Sequence, residues 1–170
     1  MERKSSITPV PEGPTPKDVR LDDVDRLLLE QLARDARTPN NALAAYAGIA
    51  PSTCLGRVRS LIERGVIRGF HADIDPAALG HDLQAMIAVR LHANARQHLT
   101  DFAESFVGLS EVLNIYFIAG ADDYLIHVAM LDSAHLRDFV VRNLSAHPSV
   151  SATETILIFE HIRPRTGSRT

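Results

Sequence analysis

The sequence predicts an α+β protein built of two modules, a small helical domain followed by a sheet domain. Three observations predict it. From Leu21 the apolar residues recur at helical steps through two further short helical segments. After Asp75 the periodicity alternates between two and about 3.6 residues, in the order β-α-β-β-α-β. Between Arg37 and His71 the charges are Arg37, Arg57, Arg59, Arg64 and Arg68 against Glu63 alone, whereas the balance turns acidic beyond Asp75. A basic module joined to an acidic one points to two tasks in one chain.

The 170 residues, 45% of them hydrophobic, are enough for two small domains that bury real cores. Residues 1–20 carry Pro9, Pro11, Pro14 and Pro16 and few large apolar residues, so a flexible tail is expected there, and another over 164–170. No apolar run approaches the roughly 20 residues of a membrane helix, and MERKSSITPVPEGP has no apolar signal core, so a cytoplasmic protein without membrane contact is expected. The one cysteine, Cys54, excludes an intramolecular disulfide and reads as a small core residue. Eight histidines are scattered without an HxH or HExxH pair, so neither a metal site nor a cofactor is expected.

The first module is expected over 21–75. Leu21, Val24, Leu28 and Leu32 form the stripe of a helix reaching about Asp35, with Asp22, Asp23 and Asp25 in its first turn, where the helix dipole favours them. A short helix over Asn41 to Ala47 is stopped by Gly48; Pro51 then opens a second that ends at Gly65. Two short helices around a tight glycine turn are a helix-turn-helix. On the second helix Cys54, Val58, Leu61 and Ile62 share one sector, while Ser52, Thr53, Gly56 and Arg59 fall opposite, flanked by Arg57. Small residues that permit close approach, hydroxyls, and Arg for guanine edges or phosphates are what a DNA recognition helix needs, although a solvated helix face carries the same types. Val66 to Phe70 reads as a short strand or wing that places Arg68 near a phosphate.

A linker over 76–82 leads to the second module, 83–163. Leu83, Ala85, Ile87, Val89 and Leu91 alternate as a strand; Leu99, Phe102, Ala103 and Phe106 mark a helix within Ala95 to Val107. Val112 to Ala119 and Tyr124 to Leu131 are strands joined by a GADD turn; Ser133 caps a helix bearing Leu136, Phe139, Val140 and Leu144; a last strand runs from Val150 to His161. This βαββαβ order is the split βαβ arrangement of the ferredoxin-like fold. Its helices cover one sheet face, and the apolar residues on the other predict a second subunit there, hence a homodimer.

These residues resemble the Lrp/AsnC family, the leucine-responsive or feast/famine regulators, over about Leu21 to Ile162. The resemblance is carried by LDDVDRLLLEQLARDAR, by IAPSTCLGRVRSLIERGVIRGF and by VLNIYFIAGADDYLIHV. It implies a transcription regulator that binds double-stranded DNA through a winged helix-turn-helix. It also implies a ferredoxin-like effector and oligomerisation domain that binds an amino acid and assembles dimers into tetramers or octamers. Ser52, Thr53, Arg57 and Arg59 match recognition-helix positions. Gly120, Asp122 and Asp123, with Ala121 between them and Tyr116 four residues upstream, match the glycine-acid turn at the effector site, where the acids are expected as rim groups. Departures are the proline-rich leader and Gly56 in mid-helix. The alternatives are an enzyme resembling the haem-pathway decarboxylases of the same architecture, using His92, His127 or Arg90, and a structural chromosome organiser.

Overall fold

The computed structural model describes residues 20–95 and 99–162, so the expected tail at 164–170, and all of that at 1–20 except Arg20, lie outside the described residues. The chain divides into two compact units at Ala72/Asp73, three residues before the boundary read from Asp75-Pro76.

In the first unit α1 spans Asp23–Arg34, α2 Asn40–Tyr46 and α3 Pro51–Glu63. Asp22 is the N-cap of α1, its carboxylate accepting the Asp25 N–H at 2.8 Å, so it stands just outside the first turn in which the sequence places it. Gly48, at φ +66°, turns the chain between α2 and α3, and the Ile49 N–H returns to the Ala44 carbonyl at 3.0 Å. The Asn40 amide ties the start of α2 to the Pro51 carbonyl at 2.9 Å. Leu28, Leu43, Ala44, Ala47 and Cys54 form the core, with Val58 packed against it. Cys54 is fully buried, as its sector predicts, and burial pushes its thiol up from the usual value. Ile62 departs from the prediction. It lies near the end of α3 and is exposed, while Leu61 takes the buried position. After Gly65 the segment Val66 to Phe70 forms no strand and runs as an irregular arm, its first N–H groups closing on the Leu61 carbonyl.

In the second unit a 3-10 turn, Pro76–Leu79, occupies the expected linker, capped by Asp75. There follow β1 Leu83–Leu91, α4 Leu99–Glu104, β2 Val112–Phe117, β3 Tyr124–Met130, α5 Ser133–Phe139, a π-helical turn Val140–Ser145, and β4 Val150–Ile158. The sheet is antiparallel with order β2-β3-β1-β4, and so realises the βαββαβ arrangement. The period-two residues Ala85, Ile87, Val89 and Leu91 of β1 and Tyr124, Ile126, Val128 and Met130 of β3 are buried under Phe102, Phe106, Leu136, Phe139 and Leu144. Three aromatic rings tighten this layer, Phe102 standing 5.0 Å from Phe106 and 5.2 Å from Tyr124.

Two details correct the sequence reading of the last helix. Asp132, not Ser133, is its N-cap, accepting the His135 N–H at 2.8 Å; an ionised carboxylate is the stronger acceptor at a helix start. The helix then widens, because Phe139 and Leu144 are five residues apart and an α-helical turn would bury polar Asn143 instead. The π turn keeps Leu144 in the core and lets the Asn143 amide donate to the Phe139 carbonyl at 3.0 Å.

Candidate nucleic-acid interface and effector turn

Pro51 at the first position of α3 fixes the helix start where no donor is needed, and the apolar seam of Cys54 and Leu61 seats one face on the core. The opposite face is thereby turned to solvent. Ser52, Thr53, Gly56 and Arg59 are all exposed on it, and Arg68 is exposed on the arm beyond. Leu55, 54% exposed on the same helix, is a residue that the sequence reading does not single out. Nothing within 4 Å would meet a Cβ added at Gly56, so that glycine leaves an open notch in the face. The Arg59 and Arg68 side chains have no hydrogen-bond or ion-pair partner among the described residues.

Arg57 is placed differently. Its Nη1 lies 2.7 Å from Asp22 Oδ2 and 2.8 Å from Asp25 Oδ1, so the guanidinium is turned to the start of α1. The Asp25 N–H and then the Arg57 guanidinium hold the Asp22 carboxyl below its ordinary range, and the two carboxylates raise Arg57 in turn. Of the predicted contacts, therefore, Ser52, Thr53 and Arg59 share the outward helix face, Arg68 follows on the arm, and Arg57 is set apart in an ion cluster.

The effector turn also divides its residues. Gly120, at φ +149°, makes the reversal between β2 and β3, a backbone region that disfavours a side chain. Asp122 faces Arg90, whose Nη2 is 3.2 Å from Asp122 Oδ1 and whose Nε donates to the Ala121 carbonyl at 2.8 Å. Asp123 is not the rim acid expected. It is buried, its Oδ2 accepting the Leu91 N–H at 2.8 Å while its own N–H donates to the Val89 carbonyl at 2.9 Å, so it extends the β1–β3 ladder by one step. Tyr116 stands half-exposed on the sheet face away from the helices, opposite Leu125. The turn can thus present one cation, one carboxylate and open backbone, but not two free acids.

The residues named for the enzyme alternative are spread apart. His127 Nε2 is 3.1 Å from the Gln84 amide oxygen and its Nδ1 3.5 Å from Asn114, an arrangement that ties three strands together. Arg90 belongs to the turn, and His92 is exposed at the end of β1, its N–H bonded to the Ser149 carbonyl. Among the described residues no three His, Cys, Asp or Glu side chains converge on a metal-sized site.

Residues 21–68 match the winged helix-turn-helix DNA-binding model, and residues 84–168 match the Lrp/AsnC ligand-binding domain. The chain belongs to the Lrp/AsnC family. An HTH-type transcriptional regulator, AldR, of Mycolicibacterium smegmatis is 55% identical over 166 residues, covering 96% of this chain and 97% of that one. The leucine-responsive regulatory protein of Rhizobium meliloti is 34% identical over 85% of this chain and 93% of its own. Among solved structures, a Neisseria meningitidis transcriptional regulator in complex with L-Met superposes with a TM-score of 0.76 at 29% identity. It covers 85% of this chain and 94% of that one. Like these Lrp/AsnC relatives, the chain is a DNA-binding transcription regulator with an effector domain, not an enzyme, which removes the decarboxylase alternative.

Proposed function

We propose that this regulator grips DNA with the outward face of α3 and responds to an amino acid held at the Gly120–Asp123 turn. The observation that carries the first half is the helix face itself. Ser52, Thr53, Leu55, Gly56 and Arg59 are exposed together on the helix whose other side is fixed in the core. Gly56 lets the backbone approach a groove floor, the hydroxyls and Arg59 reach base edges or phosphates, and Leu55 offers methyl groups to a thymine methyl. Arg68 adds a phosphate contact from the arm.

The effector half rests on charge pairing. A zwitterion needs donors for its carboxylate and an acceptor for its ammonium, and the Arg90–Asp122 pair with the Ala121 and Gly120 backbone supplies both beside Tyr116. Asp123 takes part by holding the turn. The Neisseria relative's L-Met complex supports an amino acid as the ligand class. Binding alters regulation through its differential affinity for assembly or DNA-binding states, typically about 1–3 kcal/mol. The working species is a homodimer that assembles further to a tetramer or octamer, placing two recognition helices on half-sites related by a two-fold axis, in the cytoplasm.

The test is DNA affinity and assembly size measured together on the duplex upstream of its own gene, with and without each of the common amino acids. Salt-dependent binding that shifts with one or a few amino acids is the expected result. Affinity indifferent to salt, and neither heat nor thermal shift with any amino acid, would sink the two halves respectively.

A further inference from the structure

Five arginines make the helix-turn-helix segment basic, and two of them, Arg57 and Arg64, are held by acids of α1. Arg57 makes the two short bonds to Asp22 and Asp25 described above. Arg64 Nη1 approaches Asp25 Oδ2 at 3.8 Å while its Nη2 donates to the Arg20 carbonyl at 2.7 Å. Asp25 is the buried member, its side chain 7% exposed. Two acids and two guanidinium groups sum to no net charge, so the cluster offers phosphates no net attraction. Were Arg57 to swing out to a phosphate, Asp25 would be left buried without its nearest cation, which is the costly way to break such a pair. The bonds also join the middle of α3 to the first turn of α1 across 32 and 35 residues of sequence.

We infer that Arg57 is a positioning residue: it pins the recognition helix to the start of α1, through Asp22 and Asp25, and meets no phosphate. Arg59 and Arg68 carry the charge that DNA sees. This rests on the DNA-binding reading and sharpens it, because it separates the residue that aims the helix from those that touch the duplex.

Charge counting tells the two roles apart. Each phosphate contact contributes about one unit to the slope of log affinity against log salt, on any sequence, whereas a misaimed helix loses base contacts and therefore specificity. The experiment uses the full chain, a duplex from upstream of its own gene and a random duplex of equal length, titrated across a salt series. With Arg57→Gln the slope on random DNA stays at the wild-type value, and the specific-to-random affinity ratio falls by about tenfold, the scale of a lost base contact. Arg57→Lys, which keeps the charge and can bring one nitrogen to both carboxylates as Nη1 does, recovers part of the ratio. Arg59→Gln lowers the slope by about one.

Asp22→Asn supplies an independent arm that does not risk the fold, since Asn also caps a helix. It lowers the ratio although it removes a negative charge. A slope reduced by about one in Arg57→Gln, a ratio in Arg57→Lys no higher than in Arg57→Gln, or a ratio unchanged or raised in Asp22→Asn would each overturn the positioning role. Absence of salt-dependent binding by the wild type to either duplex would instead bring down the DNA-binding reading, and this inference with it.

Discussion

Asp122 and Asp123 are adjacent and chemically identical, yet the turn before β3 sends them to opposite fates. One carboxylate meets Arg90 in solvent and the other turns inward to the Leu91 amide. Removing the inner acid leaves a buried N–H unsatisfied, which costs about 1–3 kcal/mol, whereas a half-exposed ion pair is worth about 1 kcal/mol or less. Asp123→Ala is therefore expected to lower the urea midpoint of the sheet domain clearly, and Asp122→Ala to leave it nearly unchanged while weakening amino-acid binding by calorimetry. Equal stability losses in the two variants would contradict this division. Gly120→Ala belongs at the same scale. No atom crowds the site, but φ +149° puts a side chain in a region that costs about 1–3 kcal/mol, so the loss should appear without any change in packing.

The Asp22 cap shows how a single charge governs an element. Its carboxyl is depressed by the Asp25 N–H and by Arg57, so folding gains stability from its ionised form. That gain is complete above the unfolded-state value near 3.8 and is lost as pH falls through the lower folded value. Asp22→Asn should accordingly lower the first unit's stability modestly at neutral pH and flatten its acid limb below about pH 4, so that variant and wild type converge in acid, measured by acid unfolding followed by circular dichroism. An acid limb as steep as wild type would refute the assignment. The same cluster shows what the sequence could and could not reveal. Helix stripes, glycine stops and the alternation of β1 and β3 were legible because each is written within a few neighbouring residues. Arg57 reads in the sequence as a flank of the outward face, and its bonds to Asp25 and Asp22 are not legible there because those partners lie 32 and 35 residues away, a range at which periodicity carries no information. The π turn after α5 was likewise hidden, since the five-residue step from Phe139 to Leu144 is visible only once the core that demands it is known. At the effector turn the sequence showed the acids and the glycine, while Arg90, 31 residues upstream of Ala121, came from the strand pairing.

Across the whole molecule, the sheet face away from the helices stands out as an unfinished surface of the effector unit. Register places Met86 and Ala88 of β1, Leu125 of β3, Tyr116 of β2 and Ile156 and Ile158 of β4 on it, around the Gln84–His127–Asn114 bonds. Tyr116 is 46% and Ile156 49% exposed, and Phe159 just beyond β4 is 97% exposed, a degree of apolar exposure that favours cover by another copy of the chain. A like sheet satisfies it best, because an isologous contact repeats the same apolar and amide groups on both sides. Ile156→Glu would place a charge on that face, where burial against another copy would desolvate it. The smallest species in sedimentation velocity is then expected to fall from dimer to monomer. DNA affinity should fall with it, since one recognition helix replaces two, while amide-hydrogen protection of the β1–β3 ladder stays near wild type. A dimer that survives the substitution would move the contact elsewhere on the chain and leave the open face to a different partner.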